Sequence, residues 1–271
     1  MELVDTHCHI QSSDTQVIVE EYTQQLWQKG GTPTGDDLVQ AAQAVGVTRL
    51  VCVGCNVADS QLAIDFVQDR PGCWASVGIH PHEAKHHYDS PLAKFAALVE
   101  KPKVVAIGEC GLDYHYEHSP KADQIRVFQY QLELASEAKL PVIFHVREAF
   151  DDFWPIFDEY GPSTLCGVLH SYTDSADNMR KALERGLYIG VNGIATFVKD
   201  PGQLAVYREL PLDKLLLETD APFLTPHPYR GSINEPQRIA VIAKFLAGLR
   251  GEDYEELARV TTENACQLFG I

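Results

Sequence analysis

Eight short apolar runs are spread along the chain, and their number and order restrict its fold more than any other feature. They read ELVDTH, RLVCVGC, CWASVGIH, KVVAIGEC, LPVIFHV, TLCGVLH, GLYIGVN and KLLLETD. Most are continuously apolar rather than alternating, the pattern of parallel strands covered on both faces. Between them lie stretches such as 90–100, 121–139 and 175–186, where apolar residues recur at three- and four-residue spacing. That spacing predicts helices. Two further stretches of this kind, NEPQRIAVIAKFLAGLRG and YEELARVTTENACQLFG, follow the last strand. Eight strand–helix units in 271 residues match an α/β fold of the (β/α)8 TIM-barrel type, which typically takes about 250 residues. A doubly wound open sheet is the alternative, but neither G-x-G-x-x-G nor a Walker A sequence follows the first strand.

Residues 1–271 therefore read as one barrel domain. Gln11 to Asp37, after strand 1, is longer than an ordinary strand-to-helix loop. It is expected to be either a lid containing a short helix or a surface excursion without function.

Composition narrows the class of protein. With 45% hydrophobic and 22% charged residues the chain is of ordinary globular type. No apolar run reaches the roughly 18 to 20 residues of a membrane span, and no basic region followed by an apolar stretch opens the chain, so no membrane association and a cytoplasmic location are expected. The seven cysteines are odd in number and scattered, which argues against a disulfide framework. Cys52 and Cys55 form a CxxC inside an apolar run with no second CxxC at zinc-ribbon spacing, and are expected to be buried strand cysteines. The formal charge of −16 repels polyanions and argues against tight binding to long duplexes. Divalent cations and a few arginines can still reverse the potential inside one pocket.

The eleven histidines are His7, His9, His80, His82, His86, His87, His115, His118, His145, His170 and His227. Each lies at or just beyond the carboxyl end of a predicted strand. In a parallel barrel those ends open on one face, where barrel active sites are built. His7 and His9, in VDTHCHI, are two apart and so point to the same side, toward the barrel axis if Asp5 does too. An HxH alone is as well read as a hydrogen-bonded polar pair. The later strand ends add Glu109, His145, His170, Glu218 and Asp220, and an unpaired charge at the end of an apolar strand is costly. A metal ion removes that cost. His7, His9, Glu109, His145, His170 and Asp220 together offer four imidazoles and two carboxylates, enough for one or two divalent ions. Such a set suits Zn, Mn, Fe or Co and, with more water, Mg. The plainer reading is a set of core histidines and carboxylates paired in salt bridges; it is disfavoured because all six fall on one predicted face.

DTHCH, VGIHPH, AIGECGLDY, VIFHVREA, GVLHSYTDS, LLLETDAP and RGSINEP, in that order between Val4 and Pro236, resemble the TatD family of metal-dependent hydrolases within the amidohydrolase superfamily. The resemblance implies a barrel, a one- or two-metal centre and hydrolysis of phosphodiester bonds, usually of DNA. It implies that the six residues above are the metal positions, with Glu109 bridging. The chain departs from the family in writing HCHIQ for the commoner HCHLD, and in the length of the insertion to Asp37, which bears on substrate choice.

A bound divalent ion lowers the pKa of water to about 7, and Asp220 is placed to orient that water and accept its proton as general base. Glu218 falls on the opposite side of its strand and is read as structural. Arg147 and Arg230 are candidate phosphate contacts, each with a surface salt bridge as its alternative. His80 or His82 is expected either to touch phosphate or to protonate the leaving alkoxide. His86, His87, His115 and His118 are expected on the rim. Asp113, Tyr114 and Tyr116 lie near the mouth, where the aromatics either stack a base or merely pack. The leading expectation is a metal-dependent deoxyribonuclease acting on DNA ends or single strands, with Mg, Mn or Zn as cofactor and no obligate protein partner. The alternative is hydrolysis of another bond on the same scaffold, such as an aminoacyl-tRNA ester or a small phosphoester. A non-catalytic metal-binding protein is the third class.

Overall fold

A computed structural model describes residues 2–13, 21–29, 31, 33–87, 89–161 and 165–271. All eight runs form strands: β1 Leu3–Cys8, β2 Val47–Val53, β3 Cys73–Val77, β4 Val104–Asp113, β5 Val142–Arg147, β6 Gly167–Leu169, β7 Tyr188–Val191 and β8 Leu215–Leu217. They pair in parallel in sequence order from β1 to β8. Each of the first seven is followed by at least one helix: α1 Glu21–Lys29 and α2 Gly35–Ala44, then α3 Val57–Gln68, α4 Asp89–Val99, α5 Lys121–Ala138, α6 Phe150–Tyr160, α7 Ala176–Glu184 and α8 Pro201–Glu209. After β8 come α9 Ile239–Arg250 and α10 Tyr254–Phe269. Caps written into the sequence start several of these helices. Thr34 and Asp37 form a reciprocal capping box on α2, and Asp253 accepts from the first backbone N–H groups of α10.

The ring closes differently from the way it is built. Between β8 and β1 there is an isolated bridge rather than a ladder: Asp220 N–H donates to the His7 carbonyl at 2.8 Å and His9 N–H to the Ala221 carbonyl at 2.7 Å. Asp5 fastens the same seam. Its buried carboxylate accepts from Thr219 N–H at 2.9 Å and from the Thr219 hydroxyl. Burial, partly offset by these bonds, pushes Asp5 up to about 8. The chain segments that close the barrel are thus those that carry His7, His9 and Asp220.

Val4, Val51, Val53, Ala106, Ile143, Val168, Tyr188 and Leu216 form one buried cluster together with Leu268 and Phe269 from the end of α10. Every strand except β3 contributes to it. The last turn of the chain therefore packs onto the barrel's filling, leaving the polar strand ends to the opposite rim. A second, larger core lies between strands and helices. Under β5, Phe144 meets Phe153 edge-on at 5.3 Å, and Phe153 stacks on Phe128 of α5 at 5.7 Å. This aromatic wedge holds the strand that ends in His145. Phe153→Ala is expected to cost about 3–5 kcal/mol, read as a lower urea midpoint with an unchanged slope; a loss below about 1 kcal/mol would show that the wedge does not support β5.

Among its described residues the Gln11–Asp37 stretch holds the end of a 3-10 turn, Ile10–Ser12, then α1 and the start of α2. Trp27 of α1 is fully buried and its Nε1–H donates to the His9 carbonyl at 3.1 Å. Gln11 donates to the Val53 carbonyl at 2.8 Å. Residues 14–20, 30 and 32, and with them that part of the expected lid, lie outside the described residues. Among the described residues no helix is long and apolar enough to cross a membrane.

Candidate metal centre

The six strand-end residues meet at one place. His7 Nε2 lies 3.2 Å from His9 Nε2, 3.3 Å from Glu109 Oε2 and 3.6 Å from Asp220 Oδ1. His9 Nε2 is 3.3 Å from that same Asp220 oxygen. Glu109 turns its other oxygen, Oε1, to His145 Nδ1 at 2.7 Å and to His170 Nε2 at 3.7 Å. His170 also stands 4.0 Å from Asp220 Oδ1 and stacks on the His7 ring with centroids 3.6 Å apart. Glu109 thus faces two groups of donors, one with each oxygen.

The chain's bonds fix which nitrogen of each ring faces inward. His9 Nδ1 is 2.9 Å from the Val53 carbonyl, an acceptor, so Nδ1 carries a proton and Nε2 is turned to the cluster. His145 does the reverse. Its Nε2 is held at 2.9 Å by Asp113 Oδ2, leaving Nδ1 toward Glu109. His170 Nδ1 is 3.0 Å from Glu218 Oε1, a close ion pair when the ring is protonated. Outer acceptors of this kind orient ligating imidazoles. His7 Nδ1 has no partner among the described residues. A buried donor set of four convergent imidazole nitrogens and two carboxylates fits a divalent ion. His7, His9, Asp220 and Glu109 would hold one, His145 on the other oxygen of Glu109 could serve a second, and His170 is within reach of both carboxylates.

Two supporting carboxylates do not stand out in the sequence. Asp113, fully buried, holds His145 and, with the same oxygen, His82 Nε2 at 3.1 Å. Glu218, expected on the opposite side of its strand, lies buried behind His170 and also accepts from Ser171 N–H at 2.6 Å. A Cβ at Gly190 would meet the Glu218 carboxylate, so the glycine in β7 leaves room for it. Asp5 does not join the rings of His7 and His9, being committed to Thr219.

Of the predicted phosphate contacts, His80 comes nearest. Its Nε2 is 3.7 Å from Glu109 Oε1. Because His80 Nδ1 accepts from His82 N–H at 3.1 Å, the proton of the neutral ring sits on Nε2 and makes it a donor toward the pocket rather than a ligand. Burial, with His145 beside it, holds His80 well below the usual histidine range. His82 turns instead to Asp113. Arg147 is exposed at the end of β5, its guanidinium 4.7 Å from the Tyr116 ring. Arg230 lies over Phe197 at 3.9 Å and donates to the Thr225 carbonyl. Neither arginine forms an ion pair among the described residues. His86, His115 and His118 are exposed, as rim residues should be, but His87 is buried. Cys52 is buried in β2, whereas Cys55, just past the strand, lies 3.8 Å from His9 Nδ1. Burial pushes the Cys55 thiol up to about 12, so it is uncharged at neutral pH.

In the metal-free cluster, imidazoles and carboxylates offset one another's burial. Burial lowers His145, but Asp113 and Glu109 outweigh it and push it up to about 9. His170 is likewise lowered by burial and carried to about 9 by Glu218 and Glu109. Burial would raise Glu109 and Asp220, and the surrounding imidazoles hold both below the usual carboxylate range. Because His145 and His170 are raised above their ordinary 6.5, their contribution to stability is complete below about 6.5 and is lost as pH rises through about 9. A metal must displace those protons. Metal-free protein should therefore melt at lower temperature from pH 7 to pH 10, and Mn affinity should rise over the same range. A melting temperature that climbs with pH would contradict this charge state.

An eight-stranded parallel barrel with a buried imidazole–carboxylate cluster on its carboxyl rim is that of a metal-dependent hydrolase. The sequence matches the TatD related DNase family over residues 4–270, and the chain belongs to that family. It is 38% identical over 269 residues to the uncharacterized metal-dependent hydrolase YabD of Bacillus subtilis, covering 99% of both chains. It is 38% identical over 245 residues, 87% of this chain and 93% of the relative, to the 3′-5′ ssDNA/RNA exonuclease TatD of Salmonella typhimurium. Among solved structures, the TatD homolog YJJV of Escherichia coli superposes with a TM-score of 0.86 at 26% identity, covering 99% of this chain and 98% of that one.

Proposed function

We propose that this protein is a divalent-metal-dependent phosphodiesterase that removes nucleotides from the ends of single-stranded nucleic acid, DNA foremost. The observation that carries the reading is Glu109, whose two oxygens face separate sets of donors, together with relatives named as 3′-5′ exonucleases at 38–40% identity. When bound, divalent ions here would supply an activated water and neutralise charge on the phosphoryl oxygens.

The chain's own residues then have separable tasks. Asp220 is the more open of the two cluster carboxylates, with its side chain 14% exposed against 5% for Glu109. It sits in the left-handed region, φ +60°, a conformation aspartate tolerates better than most residues. The resulting turn off β8 aims the carboxylate at His9. From there it can orient a water and take its proton. Glu109 positions both sets of donors. His80 Nε2–H offers a donor to a phosphate oxygen, and Arg147 and Arg230 supply cationic groups at the rim. A cluster recessed among strand ends, its side chains largely buried, is reached by a chain terminus more readily than by an unbroken duplex. With the overall charge of −16, binding of long duplex should be weak.

The test is metal-stripped protein resupplied with Mg, Mn or Zn and offered 3′-labelled single-stranded DNA, duplex DNA, an aminoacyl-tRNA and a chromogenic phosphodiester. The expected result is release of the 3′ label from the single strand as a mononucleotide with at least one metal and none after chelation. Inactivity on every phosphodiester, or turnover of the aminoacyl ester alone, would overturn the reading.

A further inference from the structure

Tyr116 is one of few large apolar side chains left open on the described surface, at 52% exposure, and its place relative to the cluster is fixed on two sides. Its backbone N–H donates to Asp113 Oδ1 at 2.9 Å, while the other oxygen of that carboxylate holds His145. Across the sheet, Asp113 pairs with Arg147 and Gly111 with His145. The ring itself lies parallel to His118, displaced with centroids 5.7 Å apart, and the Arg147 guanidinium lies over it, 4.7 Å from its centroid. The nearby acidic groups are already engaged. Glu148 pairs with His115, Glu117 with Lys121, and Asp152 accepts from the Tyr114 hydroxyl. Arg147 has no such partner among the described residues, so its charge is available in an otherwise acidic protein.

A half-exposed aromatic ring, a guanidinium over it with no acidic partner among the described residues and a rigid tie to a cluster ring are what a nucleotide of a single strand requires. We infer that Tyr116 is the stacking platform for a base next to the scissile phosphate, with Arg147 on that nucleotide's own phosphate and Asp113 setting the distance to the cluster. This rests on the phosphodiesterase reading above and deepens it by naming a specificity subsite. Tyr116 is a positioning residue: it binds the strand and takes no part in bond cleavage.

The experiment uses the full chain with Mn and a single-stranded oligonucleotide carrying 2-aminopurine at either of the last two positions, alongside methyl p-nitrophenyl phosphate, which has no base. In wild type, stacking should quench the fluorophore at one of those positions. Tyr116→Ala should abolish that quenching and raise KM for the oligonucleotide about 5- to 150-fold with kcat nearly unchanged, leaving the small diester unaffected. Tyr116→Phe should restore both signals. If Tyr116→Ala cuts and quenches as wild type does, the stacking inference fails while the phosphodiesterase reading stands. If wild type neither binds nor cuts the oligonucleotide, both fail.

Discussion

Asp220→Asn is expected to lower kcat on single-stranded oligonucleotide by about 10²- to 10⁴-fold, with metal still bound and KM little changed. The amide keeps the shape of the carboxylate and one acceptor oxygen, but it cannot accept a proton from water. Its position supports the assignment: Asp220 Oδ1 lies within 3.3 to 4.0 Å of His9, His7 and His170, and its side chain is the more open of the two carboxylates. Full turnover by a variant that still binds metal would remove Asp220 from the reaction. A rise in KM with kcat intact would make it a substrate-binding group instead.

Glu109→Gln should be damaging in a different way. Glu109 is 4% exposed and faces His7, His145, His170 and His80. Removing its charge takes one carboxylate from each of the protonated rings His145 and His170, which keep Asp113 and Glu218; breaking a buried pair typically costs up to about 3–5 kcal/mol. The sign follows from linkage. Glu109 is held below its ordinary 4.5, so its contribution is present above about 4.5 and is lost only as pH falls through the depressed value. The destabilisation of Glu109→Gln should therefore be large at pH 7 in metal-free protein and shrink in acid. Loaded protein should show reduced metal stoichiometry. Wild-type melting temperature and wild-type stoichiometry in this variant would show that Glu109 does not couple the two donor sets.

The barrel and its cluster were legible for one reason. The strands are short and apolar, so a histidine or carboxylate that ends a run is conspicuous: His7, His9, His145 and His170 fall within two residues of strand ends, Asp220 three residues past β8, and Glu109 ends the apolar run although β4 continues to Asp113. Less visible was whatever depends on the pairing of strands distant in sequence. Asp113 acts on His145 because β4 and β5 pair Gly111 with His145, a register that neither segment states alone. Glu218 appeared structural on parity, yet the chain leaves β8 at Leu217, and past that point alternation no longer predicts direction. Gly190 was the available signal, since a glycine in an apolar strand often marks a close approach. The seam between β8 and β1 has no ladder to predict: it is a few backbone bonds and Asp5. Arg147 and Arg230 match as residue types, but their service to phosphate depends on a bound strand.

The most direct test of a two-sided metal centre is anomalous scattering at the manganese edge from crystals of the full chain equilibrated with Mn. The expected result is density within bonding distance of Glu109, one peak shared with His7, His9 and Asp220 and a second shared with His145. Manganese bound elsewhere, or no peak at these residues in protein that still cleaves DNA, would contradict it.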